Sequence, residues 1–166
     1  MSHRDPIGAW LNQNQNLLPK GTVLEFGCGG GCFSNWFEEH GWEWSCVTKD
    51  YSGTDKRIKN GLIEEIDNNS EFNIIFSCHT FEHCEQPVTA LRRIHKALVP
   101  NGMILIATPL PVYDQILKGS DDDHIFVLNE WQMEKLLQYT GFKNIKIYKT
   151  GDHNRMDSII STGVKS

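Results

Sequence analysis

Residues 23–31 read Val23-Leu24-Glu25-Phe26-Gly27-Cys28-Gly29-Gly30-Gly31. The apolar run Val23-Leu24-Glu25-Phe26, with one acidic residue in it, predicts a buried strand. It breaks into glycines, and a helical pattern follows at once. A glycine-rich turn from a strand into a helix start lets a ligand approach bare backbone amides. The spacing separates two kinds of ligand. A dinucleotide fingerprint needs G-x-G-x-x-G, and its last position here is Cys32. The form present is E-x-G-x-G-x-G, with Glu25, Gly27, Gly29 and Gly31.

Outward from this turn, strands and helices alternate. Strand one is Thr22–Phe26. Phe33, Trp36, Phe37 and His40 recur at i, i+3, i+4, i+7 and predict a helix over 31–40 with a core-facing stripe. His40 reads as a packing residue and Gly41 as the C-cap. Residues 42–47 predict strand two, ending near Asp50; 57–62 is a poor candidate for strand three. Residues 73–78 predict an apolar strand, 87–98 a helix opened by Pro87, and 103–107 another buried strand. A loop over 109–128 holds Asp121-Asp122-Asp123. A helix then starts on Asn129, with Gln132 completing a capping box. Residues 145–148 and 158–164 predict two closing strands. The pattern is α/β: a doubly wound, mainly parallel sheet with helices on both faces and an antiparallel C-terminal edge. Ligands in such sheets bind at the carboxyl ends of the strands. Gly27, Asp50, Cys78, His79, His83 and Thr108 all fall at such ends.

The 166 residues fit one domain, with residues 1–20 as an N-terminal arm and 109–128 as an acceptor loop. A net charge of −5 argues against a generic nucleic-acid binder, and Arg92-Arg93 with Lys96 reads as the solvated face of a helix. The five cysteines are odd in number and contain no C-x-x-C pair, so no disulfide framework and no structural zinc is expected. Reduced thiols point to the cytoplasm. No leader or membrane span is visible.

The E-x-G-x-G-x-G turn resembles motif I of the class I S-adenosylmethionine-dependent methyltransferases. Residues 72–83, from Phe72 to Glu82-His83, resemble the stretch around strand four in the type 11 and ubiquinone-biosynthesis group. Residues 91–102 and 103–109 are also similar to that group. The resemblance spans about residues 20–150 and implies a Rossmann-like sheet binding S-adenosylmethionine. It implies cofactor contacts from Glu25, Gly27, Cys28, Gly29, Gly31, Asp50, Tyr51 and Cys78. The glycines would admit the amino-acid part of the cofactor, Glu25 would order the loop and favour the ammonium, and Asp50 would take the ribose diol. Two positions depart from the group. Asn60-Gly61-Leu62 stands where an Asp often contacts the adenine, and Asn73 replaces an Asp before strand four.

The sulfonium already activates the methyl group, so alignment and water exclusion are the protein's main tasks. A base is needed only where the acceptor must lose a proton; His79 and His83 are the candidates. His79, Glu82 and His83 form H-x-x-E-H, and His124 follows in the acceptor loop. That set partly resembles the metal site of small-RNA 2′-O-methyltransferases, with His79 in place of the first Glu, and the expectation here is of no metal. Trp10, Tyr113 and His124 are candidate walls of an acceptor pocket. The reading is methyl transfer to a small-molecule acceptor, with a homodimer as one way to close the site. The alternatives are a metal-assisted RNA 2′-O-methyltransferase and an inactive cofactor-fold subunit.

Overall fold

The computed structural model describes residues 6–29, 31, 33–67, 69–111, 124–150 and 158–166. The expectations placed on Gly30, Cys32, Tyr113 and Asp121-Asp122-Asp123 lie outside the described residues. Seven strands form one sheet: β1 Thr22–Phe26, β2 Glu43–Thr48, β3 Ile58–Asn60, β4 Phe72–Cys78, β5 Leu98–Pro109, β6 Lys143–Thr150 and β7 Ser158–Val164. Four α-helices accompany it among the described residues: α1 Pro6–Asn14, α2 Ser34–Glu39, α3 Pro87–Ala97 and α4 Glu130–Tyr139.

The strand order is β3-β2-β1-β4-β5-β7-β6. The pairs β1–β2, β1–β4, β2–β3 and β4–β5 are parallel. β7 is antiparallel to both β5 and β6. The antiparallel strand is therefore inserted between β5 and the edge strand β6. Burial explains the choice: six of the seven residues of β7 are buried, whereas β6 alternates and presents Lys143, Lys146 and Lys149. Lysines on an edge strand deter edge-to-edge pairing.

The sheet is buried on both faces, and the period of two along each strand divides the core. Leu24, Phe26 and Ile75 face the layer of α3 and α4, with Leu91, Ile94, Met133 and Leu137. Val23, Ile74 and Phe76 face the layer of α1 and α2, with Trp10, Leu11, Trp36 and Phe37. Trp10 is therefore core rather than pocket wall: it is buried, its ring 5.2 Å from that of Tyr148. α2 begins at Ser34 because the Ser34 hydroxyl and amide both donate to Gly31 O. His40 stacks on Trp36 as a packing residue. Pro87 opens α3, and Asn129 with Gln132 forms the capping box of α4.

Strand three lies inside the stretch that looked least like a strand. It is three residues long at the free edge, so little apolar patterning marks it. Among the described residues no α-helix fills the β2–β3 or β3–β4 connections, only a 3-10 turn over Ile63–Glu65. The basic run on α3 is a solvated face: Arg93 and Lys96 reach Asp67, and Arg92 lies over Tyr139.

The expectation of reduced thiols throughout is overturned. Cys28 and Cys46 form a disulfide, their Cα atoms 6.3 Å apart. The parallel register sets Glu25 beside Cys46, and the turn after Phe26 folds Cys28 back over that strand. The pairing of neighbouring strands, invisible in a spacing of 18 residues, creates the contact. Among the described residues no helix is long and apolar enough to cross a membrane.

Candidate active site

The strand order reverses between β1 and β4, and a cleft of about 900 Å³ opens at the carboxyl ends of β1 to β4. Such a switch point is where open α/β sheets take their ligands, and the volume suits a ligand of cofactor size. Phe26, Gly27, Val47, Lys49, Thr80 and His83 are among the lining residues.

Gly27 is held by the fold itself. Its φ is 72°, its amide donates to Val47 O at 2.9 Å, and its carbonyl accepts from Thr80 Oγ1 at 3.2 Å. A Cβ here would overlap the Thr80 side chain. Gly29 differs: its φ is 51°, and among the described residues no atom lies within 4 Å of where a Cβ would be. Open space beside a left-handed backbone is the cradle a close-approaching ligand needs. Cys28, between them, turns its sulfur to Cys46, and its carbonyl accepts from Gly31 N at 2.7 Å.

Glu25 is 2% exposed and accepts a hydrogen bond from Trp44 Nε1 at 2.8 Å. Burial pushes its carboxyl up to about 7, with the Trp44 bond pulling the other way. Its direct partner is thus β2 rather than the glycine loop.

Asp50 stands two residues beyond β2, exposed, with a φ of 58°. Tyr51 follows and is pinned to β3: its amide donates to Asn60 Oδ1 at 2.6 Å, and its carbonyl accepts from Asn60 Nδ2 at 2.7 Å. Asn60 therefore braces the loop that carries Asp50. The Tyr51 hydroxyl accepts from the Asp55 amide. Asn73 also serves local structure, its Oδ1 accepting from Thr22 N at 3.0 Å.

Cys78 ends β4. His79 follows with a φ of 50°, its amide donating to Ala107 O. A left-handed non-glycine residue at a site is backbone strain held by its surroundings. It carries the imidazole toward Ser158, whose hydroxyl is 3.0 Å from Nε2, while Nδ1 faces Glu82 Oε1 at 3.6 Å. His83 instead lines the cleft, its ring 4.9 Å from that of His124. His124 Nε2 lies 3.8 Å from Glu82 Oε1. The loop that brings it there is tied to Glu82: Ile125 N donates to Glu82 O at 2.9 Å, and Phe126 packs edge-on to Phe81. Cys84 also lines the cleft, and burial pushes its thiol up to about 12, so it stays protonated and unreactive at neutral pH.

The structure thus brings Gly27, His83 and His124 to the wall of one cleft, leaves Glu25, Cys28, Gly29, Gly31, Asp50, Tyr51 and Cys78 outside its lining, and turns His79 away to β7. Two elements escaped the sequence: Thr80, which couples β4 to the glycine turn, and the disulfide. A threonine on the loop facing a glycine is the only trace of the first.

Residues 4–147 match the profile of a family described as "methyltransferase domain". The chain is 24% identical over 120 residues to a ubiquinone biosynthesis O-methyltransferase of Rickettsia conorii, an alignment covering 65% of this chain. It spans 42% of that relative's length. The 1,6-didemethyltoxoflavin-N1-methyltransferase of Burkholderia thailandensis, solved with 1,6-didemethyltoxoflavin and S-adenosylhomocysteine, superposes with a TM-score of 0.78 at 18% identity, covering 99% of this chain and 79% of that one. A SAM-dependent methyltransferase from Archaeoglobus fulgidus gives 0.78 at 18% identity, covering 98% and 94%. Identities this low speak for the shared fold.

Proposed function

The chain belongs to the methyltransferase domain family, and on that premise we propose that it transfers the methyl group of S-adenosylmethionine to a small-molecule acceptor held in the cleft. The observation that carries this reading is the tight left-handed turn at Gly27, which lines a cleft of about 900 Å³ at the switch point of the sheet. The residues present fit the cofactor: bare backbone at Gly29 for its carboxylate and a carboxylate at Asp50 for its ribose. Tyr51 positions Asp50, and Cys78 stands at the strand end nearest the transfer. S-adenosylmethionine, when bound, supplies a methyl group already activated by its sulfonium. The chain's own residues align the acceptor and keep water from it. Where the acceptor must lose a proton, His79 and His83 are the candidate bases, and of the two His83 is the one whose residue lines the cleft.

The net charge of −5 favours a small acceptor over a polyanion, and the names of the relatives point the same way. A cytoplasmic location belongs to the same proposal. There the Cys28–Cys46 bond would be sheltered from cellular thiols by its burial. A homodimer covering the cleft would register as a doubled mass in light scattering with S-adenosylhomocysteine present.

The test is calorimetric titration with S-adenosylmethionine and S-adenosylhomocysteine beside NADH. Micromolar binding of the first two alone is expected. Asp50→Ala should weaken it by about 10- to 100-fold, the worth of hydrogen bonds to a charged group. Absence of binding to both would sink the reading.

A further inference from the structure

We propose that Glu82, His83 and His124 form a divalent-cation site in the wall of the cleft. Each offers a ligand atom, and these atoms all lie within 4.8 Å of one another. The decisive feature is Glu82. Its side chain is 1% exposed, and neither carboxylate oxygen has a hydrogen-bond partner. A buried carboxylate is stable only when paired, hydrogen-bonded or bound to a metal. The flanking groups are imidazoles that stop short of hydrogen-bond distance, His124 Nε2 at 3.8 Å and His79 Nδ1 at 3.6 Å. Two imidazoles and one carboxylate are a first-row transition-metal donor set. Ligand atoms around a tetrahedral zinc are about 3.4 Å apart, from bond lengths near 2.1 Å. The observed spread thus needs a contraction of at most about 1.4 Å, within the reach of side-chain rotation.

The backbone builds this arrangement in advance. His124 is held by the hydrogen bond from Ile125 N to Glu82 O. The ligand-bearing residues are thereby linked through main chain as well as side chains, without a metal present. His79 stays outside the set. Its Nε2 lies 3.0 Å from the Ser158 hydroxyl, which sets its Nδ1 3.6 Å from Glu82 Oε1, beside the carboxylate as an outer neighbour. His79 is a positioning residue, not a ligand.

Three protein ligands leave a coordination position open, the mark of a working rather than a structural site. His83 and His124 both line the cleft, so that position faces the acceptor. A cation there binds an oxygen of the acceptor and favours its deprotonated form. The acceptor class is then a hydroxylated molecule, with proton loss promoted by the cation in place of a histidine base. This last step rests on the methyl-transfer reading; the cation site itself does not.

The experiment strips the protein with EDTA, desalts it, and titrates Zn²⁺ by calorimetry and Co²⁺ by visible absorption. S-adenosylhomocysteine titrations and thermal melts run in parallel. One equivalent of metal is expected to bind. His124→Ala and Glu82→Gln should each weaken binding by more than about 100-fold, and His79→Ala by about 10-fold, the usual effect of losing an outer partner. His124 sits in a loop, so its variant tests the site even if Glu82→Gln fails to fold. Absence of stoichiometric binding, or equal binding by wild type and His124→Ala, would overturn the site. Metal binding without S-adenosylhomocysteine binding would uphold the site and refute the methyl-transfer reading; the reverse would overturn the site alone.

Discussion

Gly27 and Gly29 look alike in the chain and differ in the fold. Gly27→Ala forces a Cβ into Thr80 on a left-handed backbone, and a loss of about 2–4 kcal/mol of stability is expected in denaturant unfolding. Gly29→Ala meets no atom of the described residues; it should lose only about 1 kcal/mol while weakening S-adenosylmethionine binding more than Gly27→Ala does per unit of stability lost. Glu25 gives a pH signature. Its native carboxyl sits near 7, against an ordinary 4.5. Between those values the native chain keeps a proton that the unfolded chain has lost. Its contribution to stability therefore falls as pH rises from about 4.5 to about 7, by up to roughly 3 kcal/mol. Glu25→Gln keeps an acceptor for Trp44 and should flatten that slope. An unchanged slope would show the titration lies elsewhere.

At the scale of elements, the N-terminal arm is part of the core. Ile7, Trp10, Leu11 and Leu18 are all buried against the second face of the sheet. Trp10→Ala should lower stability by about 3–5 kcal/mol and leave cofactor affinity intact wherever the protein is folded. A lost affinity with unchanged stability would restore Trp10 to the pocket. The Cys28–Cys46 bond ties the glycine turn to β2 across 18 residues. Closing a loop of that length is worth about 3 kcal/mol. Reductant should lower the denaturant midpoint of the wild type accordingly and leave Cys46→Ser unmoved. Helix ends were legible because capping is local: Pro87, Asn129 with Gln132, and Gly41 needed no tertiary information. β3 was obscure because its three residues are held by one neighbour, β2, in place of a period of their own.

At the scale of the whole molecule, the connections around β3 carry no α-helix among the described residues, and the cleft opens there beside Val47 and Ile63. Filling it should stabilise the chain: at a ligand concentration 100 times the dissociation constant, S-adenosylhomocysteine adds about 2.7 kcal/mol, read as a raised melting temperature that NADH does not produce. By itself the sequence determined the doubly wound α/β class, the sharp glycine turn after β1 and the helix starts at Pro87 and Asn129. Each rests on local periodicity or on turn and capping residues. Only the tertiary structure decided that β7 enters beside β5, that Cys28 meets Cys46, that Trp10 is core, and that His83 and His124 converge on Glu82 while His79 turns to Ser158. Those facts depend on which distant segments lie side by side, and contacts across the sheet leave no period along the chain.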